Sequence, residues 1–218
     1  MGLVRREWVR QQQAIDLKQK KVPRQVRAQA TLQAILQASA QVLIQEGYAG
    51  LTTNAVAERA GVSIGSVYEY FPGKEAIVAV LTTRAVADTL REIEDSLNGA
   101  DPADLRAAMN QFVRSLYRIT CERRDLLKIL LFQVPFVHEI PAMQSLRAEL
   151  IRLVLLGAGR TRHEHQIEAR PETLYLIGSM TAAALLQLAI TPPPGLDVNR
   201  ILDELAEKVV DWLVERKS

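Results

Sequence analysis

Cysteine is nearly absent: Cys121 is the only one in 218 residues, so no disulfide can close within the chain. A disulfide-stapled scaffold is excluded, and a lone thiol suits a reducing cytoplasm, where the protein is expected. The start, MGLVRREWVRQQQ, has no apolar centre and no small-residue cleavage site, so it does not read as a secretory leader. Nowhere is two-residue alternation of β-branched residues sustained, which argues against any sheet. Enzymatic chemistry lacks its usual carriers: there are no paired carboxylates beside a base, no nucleophile elbow and no phosphate-cradling glycine loop. Cys121 has no evident base partner in the sequence to activate it. One metal-like cluster occurs, His163-Glu164-His165. Its two-residue spacing points the imidazoles to different sides of a helix, with no helix-borne third ligand nearby, so it reads as a solvated loop. No catalytic residue, metal or cofactor is expected.

What is present describes an ordinary globular protein: 48% hydrophobic residues, 24% charged residues and a net charge of +2. The charge is unevenly placed. Residues 1–27 carry Arg5, Arg6, Arg10, Lys18, Lys20, Lys21, Arg24 and Arg27 against Glu7 and Asp16, a local +6 that leaves −4 for the rest. A basic end on a near-neutral body suits a protein that meets a polyanion through that end. Within it Val4, Trp8 and Ile15 make a weak apolar stripe among cations. The extension reads either as an arm gripping phosphates or a minor groove, or as a tail.

Helical periodicity dominates the remainder. Val26, Ala30, Ile35, Ala38, Val42 and Leu43 mark a first helix that Gly47 should end, with Pro23 tolerated in its first turn. Thr52 or Thr53 caps a second helix, Gly61 stops it, and Ser63 caps a short third running to about Phe71. After Pro72-Gly73 a long helix is expected over about 74–97, then five more at about 102–121, 123–133, 141–158, 171–190 and 197–216. The fold class is therefore all-α, with about nine helices. The segment 174–190 approaches the length of a membrane span, but Ser179, Thr181 and Gln187 interrupt it and small residues enrich it. It reads as a helix buried among others, with no membrane partner.

The stretch LTTNAVAERAGVSIGSVYEYFPGKEAIVAVL, residues 51–81, carries the most information. Two short helices joined through Ala60-Gly61-Val62-Ser63 form a helix-turn-helix, about 52–71, held together by Ala57, Val62 and Val67. With those inward, Ser63, Gly65, Ser66 and Tyr68 fall on the outer face and ends of the second helix. Small and hydroxylated residues there let a helix lie close to base edges in a major groove. Gly65 costs a helix about 1 kcal/mol relative to alanine, and a close approach of DNA is a reason to keep it.

At Thr53, Val56-Ala57, Ala60-Gly61-Val62-Ser63, Gly65-Ser66-Val67-Tyr68, Tyr70-Phe71 and Lys74-Glu75 the sequence resembles the TetR family of transcriptional regulators, over roughly residues 25–85. The resemblance implies an N-terminal three-helix DNA-binding domain and a helical ligand-binding and dimerisation domain. The boundaries expected are a basic extension over 1–22, the DNA-binding domain over 23–85 and the body over 86–218. It implies phosphate contacts from Thr53 and Lys74, backbone approaches by Ser63, Ser66 and Tyr70, and base or sugar contacts by Gly65 and Tyr68. Ile64, often polar in relatives, would meet a thymine methyl, and Phe71 would pack inside. With few long polar side chains on the reading helix, DNA shape should carry part of the specificity.

The resemblance further implies a homodimer on a near-palindromic operator, acting as a repressor released by a small molecule that moves the long fourth helix. The alternative is the same fold answering to protein partners, with no small-molecule effector. From the residues themselves, the dimer face is expected on the last two helices, at Gly178, Ala182 and Leu185 and at Leu202, Leu205, Val209 and Leu213. Aromatic or polar residues on apolar helices make the pocket candidates: Tyr117, Cys121, Phe132, Gln133, Phe136, His138, Met143, Tyr175 and Met180. Strong acids are scarce on these faces, which favours a neutral or apolar effector.

Overall fold

The computed structural model describes residues 15–21, 23–98, 104–159 and 170–214. Val4, Arg5, Arg6, Trp8 and Arg10 of the extension, and the cluster His163-Glu164-His165, lie outside the described residues. The chain is all-α, with no strand among the described residues. In order come α1 (Val26–Gly50), α2 (Thr53–Ala60), α3 (Ile64–Tyr70), α4 (Lys74–Asn98), α5 (Leu105–Glu122), α6 (Arg124–Gln133), α7 (Pro141–Gly159), α8 (Pro171–Ile190) and α9 (Val198–Leu213). A 3₁₀ turn at Val137–Glu139 separates α6 from α7. Two compact units divide between Leu81 and Thr82, inside α4, four residues before the boundary expected from the sequence.

In the first unit, α1 buries Leu32, Ile35, Leu36, Ala38, Ser39, Val42 and Leu43. Val26 and Ala30, expected on this face, are exposed, because the five-residue step from Ala30 to Ile35 rotates off a 3.6-residue stripe. Pro23 precedes the helix rather than entering its first turn, since Gln25 is the N-cap. Gly47 takes φ 70°, a left-handed conformation that bends the chain before Leu51 returns its N–H to the Gly47 carbonyl at 3.2 Å. Thr52 caps α2 by accepting from the Ala55 N–H at 3.1 Å. Gly61, at φ 66°, closes α2 with its N–H on the Glu58 carbonyl. Leu43, Leu51, Val56, Val67, Phe71 and Ile77 are fully enclosed in this unit. Each such side chain contributes about 1.5–3 kcal/mol of apolar burial.

The second unit is built on α5, whose Leu105, Ala108, Met109, Phe112, Val113, Leu116 and Ile119 recur every three or four residues and are all buried. Their chief partner is α9, which turns Leu202, Ala206, Val209, Val210 and Leu213 inward. Asn110 and Arg114 of α5 both donate to Asp203 of α9 at 2.6 Å, fixing the register of the pair. Those two donors hold the Asp203 carboxyl below its ordinary range, the Asn110 hydrogen bond foremost. By length and apolarity α8 alone among the described helices passes for a membrane span. It lies against α5, α7 and α9, burying Ile177, Thr181, Leu185, Leu188 and Ala189.

This packing corrects the expected dimer face. Leu185, Leu202, Val209 and Leu213 belong to the core of their own chain and are unavailable to a partner. The stripe on α9 faces α5, not a second copy. Leu205 is half-buried against the same core. Gly178 faces α7, where an added Cβ would sit 3.5 Å from Arg147 and Ile151, in ordinary contact. Ala182 is exposed but borders internal cavities.

Candidate nucleic-acid interface and internal cavity

The N-terminal unit presents α3 through a short, fully specified turn. Val62 returns its N–H to the Ala57 carbonyl at 3.0 Å, and the Ser63 hydroxyl accepts from the Ser66 N–H at 3.1 Å. Val67, wholly buried, anchors the inner face. Ser63, Ile64, Gly65 and Tyr68 are exposed and Ser66 is half-exposed. Two hydroxyl pairs frame the outer surface: Thr53 with Tyr68 at 3.2 Å, and Ser63 with Ser66 at 2.9 Å. Between them, a Cβ built on Gly65 would meet nothing nearer than the Ser63 Oγ at 3.8 Å. Nothing inside the fold therefore requires glycine there.

Tyr70 is a correction. Its ring is buried and its hydroxyl donates to the Ala28 carbonyl of α1 at 3.2 Å, so it holds α3 to α1 instead of facing a phosphate. Phe71 is enclosed beside it. Lys74 opens α4 half-buried, donating to the Tyr48 carbonyl at 3.1 Å with its ammonium 4.1 Å above the Tyr48 ring. Two of its three N–H donors remain. The Tyr48 hydroxyl donates to Glu75 at 3.2 Å, and burial, reinforced by the Glu75 charge, pushes its pKa up to about 12.

Sequence reasoning missed how the end of the basic extension meets α3. The Lys20 N–H donates to the Tyr70 carbonyl at 2.8 Å and its Nζ to the Tyr68 carbonyl at 3.3 Å. Lys21 pairs with Glu69, whose hydrogen bond and charge raise the lysine pKa. Cations thus sit at the C-terminal end of α3, where its free carbonyls attract positive charge. Only the local excess of Lys and Arg hinted at this.

In the second unit a cavity of about 380 Å³ opens among α5, α7, α8 and α9. Its walls are mostly apolar, with Phe112, Leu116, Leu150 and Val154 among them. A second space of about 220 Å³ shares Leu116, Leu131, Met143, Leu146, Leu150 and Ala182 with it and reaches Thr82, Ala85, Val86 and Thr89 of α4. Outside the larger cavity lies an open groove bordered by His138, Met143, Arg147 and Tyr175.

Of the nine pocket candidates, His138 and Met143 line the larger cavity and Tyr175 the groove. The other six border none of these spaces. Phe136 is enclosed in the core, Phe132 and Met180 point outward, and Gln133 is exposed. Tyr117 and Cys121 engage each other on α5, and the hydrogen bond to Cys121 raises the tyrosine pKa. Aliphatic residues make most of the lining, and aromatic or polar character does not single them out. Arg147, Ser179 and Thr181 were passed over. The usable signal for Arg147 was its setting, with Met143, Gln144, Leu150 and Ile151 three and four residues away and no acid among them.

The first unit carries a helix-turn-helix, and the second is a helical body with a cavity. Residues 35–81 match the family model for bacterial regulatory proteins, tetR family. An HTH-type transcriptional regulator of Mycobacterium tuberculosis is 39% identical over 67 residues, covering 31% of this chain and 34% of that protein. The match thus spans about a third of that relative's length. YvdT of Bacillus subtilis, also an HTH-type transcriptional regulator, is 21% identical over 51% of this chain and 57% of its own. Among solved structures, a TetR-family transcriptional regulator from Streptomyces coelicolor aligns with TM-score 0.58 and 25% identity, over 85% of this chain and 96% of that one. A putative regulator of the same family from Shewanella sp. PV-4 gives 0.64 at 16% identity, over 85% and 99%. Over residues 35–81 the chain is thus similar to the tetR family of bacterial regulatory proteins, and its fold is similar to that of solved TetR-family regulators.

Proposed function

We propose that this protein is a sequence-specific DNA-binding regulator that acts as a twofold dimer and represses transcription until a small molecule enters its body. The exposed face of α3 carries the reading. It is about 10 Å long, and a major groove about 12 Å wide admits such a helix. Gly65 gives the closest approach, Tyr68 and Thr53 offer hydroxyls, and Ile64 offers an apolar tip for a thymine methyl. Lys74, Ser63 and Ser66 are placed for phosphates, which orient the protein without specifying sequence.

The effector half of the reading is supported by the cavities, which fall in the size range of small-molecule sites. α4 begins in the DNA-facing unit at Lys74 and forms part of the smaller cavity's wall at Thr82, Val86 and Thr89. A ligand releases DNA only if it favours one placement of that helix over another.

The dimer is best supported by what the fold leaves uncovered. On α8, Leu176, Met180 and Ala183 fall at four- and three-residue steps and are exposed, and Trp212 of α9 is exposed as well. Only 28% of the apolar window of α8 is buried within the chain. A permanent interface over such a surface buries on the order of 2,000 Å² or more in total.

Tyr68→Ala and Lys74→Ala, titrated on the selected operator by fluorescence anisotropy, test the reading. Tyr68→Ala should weaken operator binding by about 1–3 kcal/mol and relax specificity. Lys74→Ala should weaken all duplexes alike and lower the salt dependence. Unchanged affinity in both variants contradicts the proposal.

A further inference from the structure

Among the described residues of the second unit, four buried side-chain atoms have no hydrogen-bond partner. The hydroxyls of Ser179 and Thr181 are buried without a hydrogen bond, and both residues line this cavity. Thr82 Oγ1 and one terminal nitrogen of Arg123 are likewise unpartnered at the smaller cavity. A buried hydroxyl left without a partner costs about 1–3 kcal/mol, so such groups concentrate where a ligand completes them.

Charge separates the two ends. Arg123 is neutralised by Glu92, so its surroundings carry no net demand for an anion. Arg147 is different: no carboxylate among the described residues pairs with it, and its guanidinium lies 4.7 Å from the centre of the Tyr175 ring. Its stem runs beside Gly178. Arg147 borders both the outer groove and the larger cavity, with His138 on the same two surfaces. An unpaired, always-charged, planar donor at the mouth of an apolar cavity selects a planar anion, and a carboxylate matches it with two parallel hydrogen bonds.

We infer that the ligand of this cavity is an amphipathic monocarboxylate: its head is held at the mouth by Arg147, and its apolar chain or ring runs inward over Phe112, Leu116, Leu150 and Val154. This rests on the effector reading above and corrects its neutral-or-apolar expectation at one end only. The lining fits an apolar body; the mouth fits an anion. Ser179 and Thr181 supply further donors to oxygen atoms on the ligand. The six residues shared with the smaller cavity include Met143, whose unbranched side chain rearranges readily, so a long enough tail passes towards Val86 on α4.

Full-length protein is titrated calorimetrically with octanoate, decanoate and dodecanoate, and with decanol, for wild type, Arg147→Gln and Arg147→Lys. Arg147 is exposed, so the variants should fold, and their melting temperatures without ligand check this. The expected result is saturable binding of one or more of the acids, with decanol at least tenfold weaker than decanoate. Arg147→Gln should remove that preference, and Arg147→Lys should restore part of it. The inference is overturned if none of the acids binds, if decanol binds as well as decanoate, or if Arg147→Gln leaves the acid affinity unchanged. A parallel arm measures operator retention. Arg147-dependent binding of acid without DNA release upholds the inference and defeats the effector reading. Release by a neutral molecule with no acid binding does the reverse.

Discussion

At Gly65 stability and the proposed function are expected to pull apart. It stands in α3 at an ordinary helical position, with open space where a side chain would begin. Gly65→Ala should therefore stabilise the first unit, by up to about 1 kcal/mol in urea denaturation, while weakening DNA binding. A substitution that raises both quantities would remove the close-approach argument. Residues were the least legible scale from sequence. Tyr68 and Tyr70 are two apart on a short helix and of the same type, yet one is exposed and the other reaches back to Ala28. The resemblance treated both as outward, and only the position of α1 distinguishes them.

Elements were far more legible, because caps and breakers act locally. Thr52, Gly61, Ser63 and the Pro72-Gly73 break set the bounds of α2 and α3 to within a residue. The apolar periodicity of α5 and α9 was equally plain, but periodicity does not say which neighbour a stripe meets. Leu202, Val209 and Leu213 were assigned to a second copy when α5 of the same chain covers them. At the start of α4, Tyr48, Lys74 and Glu75 tie the helix to α1, and this clasp has a pH signature. The Tyr48 pKa is raised to about 12 in the folded state against about 10 unfolded. Above pH 10 the unfolded chain loses this proton while the folded chain keeps it, so stability should fall between pH 10 and 12. Tyr48→Phe should flatten that decline in urea denaturation followed across the same range. An equally steep decline in the variant would show that other groups set it.

For the whole molecule the account turns on symmetry. In the proposed twofold pair the exposed Leu176 and Met180 are covered, and a charge placed there would meet its own copy across the axis. Met180→Glu should shift the protein from dimer to folded monomer in sedimentation equilibrium and abolish tight operator binding with it. The fold class and the likeness to a family of regulators were legible in the sequence because caps, breakers and helical periodicity are local signals, most concentrated in residues 51–81. The cavity was not, since it is made by side chains far apart in the chain. The most direct measurement is selection of duplexes from a random pool by the full-length protein at physiological salt. The expected outcome is one enriched, near-palindromic site whose half-sites lie about one helical turn or slightly more apart. Enrichment of no sequence, or of an asymmetric single half-site bound by a monomer, would contradict the claim that paired copies of α3 read DNA.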